Sequence, residues 1–212
     1  MAIYHATMKS FSRGNGDSSV AAAAYRAGFD LLDMSTGLGH NYSHRGGVDF
    51  HQMLAPKGAP EWCFDAQYFW NANEAAETRK NARVCREVEV SLPHQLDPHQ
   101  RRALALALGQ LLVNRFKVAV LVAVHTPSKY GDQRNHHVHL LMSARQVGPG
   151  GLGSALALSL MRGKGRHTSA AANPQRHRDG HQCALEKCGL PGSRRSSQSP
   201  STSTRSRAQW RV

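Results

Sequence analysis

Two apolar runs separated by a short polar loop constrain this chain more than any other feature. They are "KVAVLVAVH" at 117–125 and "HHVHLLMSA" at 136–144, joined by "TPSKYGDQRN". Runs this short, rich in β-branched residues and bounded by polar loops, read as strands, and the short connection makes them antiparallel neighbours. In the second run apolar and polar residues alternate, so His137 and His139 project from one face while His136 projects from the other. His125 closes the first run. Three imidazoles from adjacent strands form a set able to hold a divalent cation with coordination positions left open. His40 and His51 show no such pattern and read as ordinary polar side chains.

Upstream, "AIYHATMKSFS" alternates as a first strand, and "RGNGD" follows as a loop. "DSSVAAAAYRAG" predicts a helix capped by Asp17 or Ser18 and closed by Gly28. Residues 29–54 read as polar turns and short extended pieces. "DAQYFWNANEAAETRKNARV" predicts a second helix and "CREVEVSLP" a strand stopped by Pro93. "LDPHQRRALALALGQLLVNRF" predicts a third helix, with Asp97 as cap and Pro98 in its first turn. Strands separated by helices give a helix-on-sheet α/β domain. Glu87 and Glu89 share one face of the "CREVEV" strand, where a buried carboxylate needs a partner; an exposed face is the equal alternative. Locally, Tyr25 on its alanine-rich helix reads as a half-buried packing residue.

Charge divides the 212 residues unevenly. The formal net charge is +13, with residues 162–212 carrying +9 and the first 161 residues +4. Such a balance points to a polyanionic partner, nucleic acid or an anionic surface. From about Met161 the texture turns rich in Ser, Arg, Gly and Pro, too polar to bury enough surface against its ordering entropy. A folded unit over 1–153 and a disordered basic tail over 154–212 are the expectation. Four scattered cysteines form no disulfide framework, and no stretch reads as a membrane span or signal peptide, so a cytoplasmic protein is expected without membrane insertion.

The stretches "IYHATMKSFSRGNGDSSVAAAAYRAG", "EAAETRKNARVCREVEVSLP" and "VHTPSKYGDQRNHHVHLLMSARQVGPGGLG" together resemble the MobA/MobL family of plasmid relaxases, a histidine–hydrophobe–histidine class of single-strand nucleases. The resemblance covers about residues 2–153 and implies a largely antiparallel, five-stranded sheet with helices packed against it in two layers. It implies Tyr25 as catalytic nucleophile, Glu87 as supporting acid, and His125, His137 and His139 as ligands to Mg²⁺ or Mn²⁺. Arg13 and Arg26 become expected DNA phosphate contacts. The implied partners are single-stranded DNA at a plasmid origin of transfer, relaxosome accessory proteins and a coupling protein. After Gly153 the basic tail stands where family members usually carry an amphipathic, tryptophan-containing segment.

Two other classes are weighed against this reading. A rolling-circle replication initiator places its tyrosine after the paired histidines, but here Tyr4, Tyr25, Tyr42, Tyr68 and Tyr130 all precede His139. A truncated or frameshifted, non-catalytic DNA-binding accessory protein is the remaining alternative, and a nicking assay on supercoiled plasmid separates it from a relaxase.

Overall fold

The computed structural model describes residues 5–156. Five strands form the main sheet in the order β1 (Ala6–Ser12), β5 (Arg83–Ser91), β7 (His137–Gly148), β6 (Val118–His125), β4 (Val48–Leu54). Every neighbouring pair is antiparallel. A further strand, β8 (Gly151–Ala155), pairs with the far end of β7, and β2 (Asp30–Asp33) with β3 (Leu38–Asn41) makes a separate hairpin. The mixed α/β class and the antiparallel five-stranded sheet agree with the sequence reading.

Helices cover both faces of the sheet, giving three layers where two were expected. Ala119 and Leu121 of β6 and Leu141 of β7 pack with α1 (Ser19–Ala27) and α2 (Ala66–Ala75). Val118, Val120, Val122 and Val124, with Val138, Leu140 and Met142, pack under α3 (Pro98–Phe116). A strand covered on both sides has no polar face to show, which is why "VAVLVAV" is apolar up to the histidine that closes it.

Each helix is bounded by local chemistry. Ser18 caps α1 by accepting from the Val20 and Ala21 amides. Gly28 ends it in the left-handed region at φ 68°, which a residue without a Cβ enters at no steric cost. Asp97 and Gln100 form a capping box at the start of α3, with Pro98 in its first turn.

Three expectations change. α2 stops at Ala75, well short of the predicted residue 84, where carbonyls in and just beyond its last turn are captured from elsewhere in the fold. Arg13 donates to the Glu74 and Glu77 carbonyls at 2.9 and 2.7 Å, and Arg145 to that of Ala76 at 2.8 Å. The region expected as polar turns and short extended pieces contains, besides the short β2 and β3, a full edge strand, β4, paired along β6. The expected boundary at Gly153 falls inside β8, and Leu156 beyond it is 4% exposed, its amide bonded to the Ala144 carbonyl. The expectation of disorder for the remaining tail lies outside the described residues.

Gly109 lets α3 lie close against the sheet. A Cβ built there would stand 2.6 Å from Val122 Cγ2 and 2.9 Å from Leu54 Cδ1. Alanine elsewhere in a helix stabilises relative to glycine by about 1 kcal/mol. Here overpacking, at about 1–3 kcal/mol, outweighs that gain. Gly109→Ala should lower the urea midpoint; a midpoint at or above that of the parent would contradict this close approach.

Candidate active site

The antiparallel register of β6 and β7 sets His125 directly opposite His137, and Ala123 opposite His139. His125, His137 and His139 therefore face the α1 side of the sheet together, with ring centroids 4.6–5.3 Å apart. One ring nitrogen from each lies within 4.8 Å of the others. His136 stands apart, with Arg101 and Asp49 as charged neighbours on the α3 side.

Each imidazole has one nitrogen engaged. His125 Nε2 donates to the Arg26 carbonyl at 2.6 Å, His137 Nδ1 to the Asn135 carbonyl at 3.1 Å, and His139 Nδ1 to Glu87 Oε1 at 2.7 Å. These partners select the tautomers and leave one lone pair on each ring, as metal ligation requires. Burial, reinforced by the neighbouring imidazoles, holds His125 at about 4, and burial also lowers His137. Both are neutral near pH 7, the protonation state that binds a cation.

Glu87 is fully buried. It stands opposite Leu141, so it reaches His139 along the diagonal between the strands. Arg26 closes a bidentate pair on it, Nε to Oε1 at 2.8 Å and Nη2 to Oε2 at 3.0 Å. Burial alone would raise this carboxyl; the hydrogen bonds from His139 and Arg26, with the Arg26 charge, instead bring it down to about 2. Glu89 lies opposite His139 but its carboxylate takes Lys9 Nζ at 2.8 Å. Between the two acids left open by sequence, Glu87 is the one bonded to the histidine. Glu87, Glu89 and His139 also form a compact group, but both carboxylates are already paired with cationic side chains. The three imidazoles are the set with free lone pairs.

Arg26 thus touches two of the three rings, His125 through its carbonyl and His139 through Glu87. The carbonyl is available because Arg26 is the penultimate residue of α1, where carbonyls lack an intrahelical partner. At the other end of α1, Glu74 of α2 accepts from the Ser19 amide at 2.9 Å and the Ser19 hydroxyl at 2.6 Å. A carboxylate there satisfies an orphan N–H and complements the helix dipole.

Tyr25 precedes Arg26 and is 41% exposed. Its ring packs edge-on against Tyr42 at 5.3 Å, and the Arg45 guanidinium lies 3.5 Å over its centroid. Arg45 Nη1 also donates to the Tyr25 carbonyl at 3.1 Å. Neither Tyr42 nor Arg45 was expected from sequence: the β2–β3 hairpin and the loop after it deliver them, and no periodicity ties that loop to α1. A shallow groove of about 280 Å³ runs past Phe11, Asp17, Tyr25 and Tyr42.

The two arginines expected at phosphates are both committed inside the fold. Arg26 is spent on Glu87. Arg13 forms an ion pair with Glu74 at 2.7 Å as well as clamping the end of α2. In this arrangement each guanidinium is already paired with a buried carboxylate.

The fold and site define a mixed α/β domain in which a three-histidine cluster is braced by the arginine next to a helix-borne tyrosine. The family model of the MobA/MobL family matches residues 17–211, and the chain belongs to that family. The match runs through the basic segment that composition sets apart. The chain is similar to mobilization protein MobL of Acidithiobacillus ferridurans, 40% identical over 172 residues, covering 71% of this chain and 45% of that protein. It is similar also to the probable mobilization protein MobA of Bifidobacterium longum, 31% identical over 149 residues, 70% of this chain and 26% of that one. It therefore spans less than half the length of these curated relatives. A solved structure concerned with vancomycin resistance transfer in Staphylococcus aureus shares the fold with a TM-score of 0.65 at 29% identity, over 71% of this chain and 75% of that one.

Breaking a buried ion pair by removing one partner costs about 3–5 kcal/mol, because the other charge is left uncompensated. Glu87→Gln should therefore destabilise the fold by about 3 kcal/mol in urea. Replacing Glu87 and Arg26 together by leucine should cost less than the sum of the single changes. Additive losses would show that the two side chains are not energetically coupled.

Proposed function

We propose that this chain carries the relaxase activity of a mobilization protein: it nicks one DNA strand at a plasmid origin of transfer and holds the cut end covalently. The observation that carries the reading is Arg26, which joins the tyrosine helix to two of the three histidines in a family whose relatives are mobilization proteins. In this reaction the Tyr25 hydroxyl oxygen attacks the scissile phosphorus. The phenolic proton is released to solvent, a tyrosyl O–P bond forms, the P–O3′ bond breaks, and the leaving 3′ oxygen takes up a proton in return. Because one phosphoester replaces another, bond energy is kept and the step reverses on rejoining.

His125, His137 and His139 are the residues that would hold a divalent cation. Such a cation supplies Lewis acidity to a phosphate oxygen and neutralises charge developing there. All-imidazole donors suit Mn²⁺ and later transition ions better than Mg²⁺, which prefers oxygen ligands. Glu87 and the Arg26 carbonyl orient His139 and His125. Arg45 and Tyr42 hold the Tyr25 ring, limiting the rotamers from which its hydroxyl can attack. Single-stranded origin DNA, relaxosome accessory proteins and a coupling protein are the partners this activity needs, and the cytoplasm is its compartment. Among the described residues no helix is long and apolar enough to cross a membrane.

Incubation with an origin-bearing oligonucleotide should give a denaturant-resistant protein–DNA adduct. Tyr25→Phe should abolish the adduct while leaving single-strand affinity within about twofold, since only the nucleophilic oxygen is lost. Chelation should stop cleavage, with Mn²⁺ restoring it more effectively than Mg²⁺. His137→Ala and His139→Ala should each abolish that rescue, whereas His136→Ala should be mild. An adduct formed at parental yield by Tyr25→Phe would remove Tyr25 from the reaction. A wild-type chain that binds DNA without nicking would favour an accessory role.

A further inference from the structure

A second concentration of positive charge lies away from the histidines. Around the start of β5 and the middle of β7, a pocket of about 500 Å³ is lined by Arg79, Arg83, Arg86 and Arg145, with Glu77 its acidic member. Arg145 Nε is bonded to Glu77 at 3.0 Å, so those two charges answer each other. Arg79 and Arg83 are exposed at the mouth. Arg86 is 5% exposed, and its Nε and Nη1 have no hydrogen-bond partner among the described residues. Its remaining contact is a long one, from Nη2 to the Leu156 carbonyl at 3.3 Å.

A buried guanidinium with two orphan donors and no carboxylate is costly and calls for an anion. Burial, followed by the Arg83 charge, pushes Arg86 below its ordinary value, as expected for an uncompensated cation. The guanidinium is a planar fork matched to two oxygens of a phosphate. Turning it toward the mouth would exchange one long carbonyl contact for a bidentate, charge-assisted pair.

We propose that this pocket binds a phosphate of the nucleic-acid strand, Arg86 supplying the fork and Arg79 and Arg83 the charge at the mouth. The inference rests on the nucleic-acid reading above and adds a holding contact remote from the chemistry. In the β5–β7 register Arg86 pairs with Met142 and Glu89 with His139. The pocket is thus three residues from the histidines along the strands, roughly 10 Å at a rise of about 3.3 Å per residue. Since successive strand residues point to opposite faces, Arg86 projects away from its neighbour Glu87. The pocket therefore anchors the strand without entering the scission site.

The test is binding of a fluorescent, random-sequence single-stranded oligonucleotide to the full chain across a salt series, without divalent metal. Arg79→Ala/Arg83→Ala changes only exposed side chains; Arg86→Met removes the fork, with circular dichroism checking its fold. Lys57→Ala/Arg115→Ala, exposed residues elsewhere, controls for diffuse charge. For single strands, each lost phosphate contact should flatten the slope of log K against log salt by about 0.7. The pocket variants should show this flattening and a several-fold weaker affinity at low salt, beyond the control pair. Slopes equal to the parent's or to the control's overturn the pocket, and the mouth pair decides this even if Arg86→Met does not fold. Inorganic phosphate that raises the melting temperature of the parent but not of the pocket variants, with oligonucleotide binding unchanged in both, shows an anion pocket unconnected with the strand and overturns the proposal. A parent that nicks normally while the pocket variants bind like the control refutes the pocket alone. A parent that neither binds nor nicks refutes the relaxase reading, and the pocket proposal with it.

Discussion

The arrangement of the site depends on one side chain and its own carbonyl. Arg26 presents a bidentate guanidinium to buried Glu87, and Glu87 in turn fixes His139. The same residue's carbonyl receives the N–H of His125. A charged pair buried this completely adds little net stability, because desolvation consumes most of the Coulombic gain. What it provides is geometry: the pair ties helix α1 to the sheet at the point where two imidazoles are engaged at once.

The rest of the domain is organised to make that docking possible. α1 meets the sheet through Ala22, Ala23, Ala24 and Ala27, all nearly or fully buried. Their small side chains bring the helix axis close enough for a backbone carbonyl to touch a strand histidine. Glu74 holds the opposite end of the helix through Ser19, and Arg13 holds Glu74. A chain of polar contacts therefore runs from α2 through α1 to the histidines. Beneath it, β6 and β7 are buried on both faces, so the two strands carrying the cluster have little freedom to shift register.

Positive charge in the folded part falls into two kinds. Arg13, Arg26 and Arg145 are matched by Glu74, Glu87 and Glu77 and serve as structural clamps. Arg79 and Arg83 stay at the surface, and Arg86 lies unmatched beneath them. Sequence charge counts cannot separate these kinds, because a buried, paired arginine and an exposed one contribute equally to the net +13.

Much of the plan was legible along the chain because it depends on local order. Strand alternation aligned His137 with His139, the polar loop made β6 and β7 antiparallel neighbours, and Ser18, Gly28, Asp97 and Pro98 marked helix ends through capping chemistry that acts within a few residues. The tertiary structure decided what depends on distant partners. α2 ends where Arg13 and Arg145 seize carbonyls of Glu74 and Ala76, and residues 61 and 69 positions apart have no local signature. β4 exists because β6 offers it an edge, although its own pattern is mixed. Glu87 rather than Glu89 meets His139 because Lys9, on a third strand, occupies Glu89. Arg45 reaches Tyr25 only once the β2–β3 hairpin has turned the chain back. The sequence by itself determined which residues could share a face; packing across three layers determined which of them touch, because hydrogen bonds and ion pairs act over a few ångströms of space irrespective of separation along the chain.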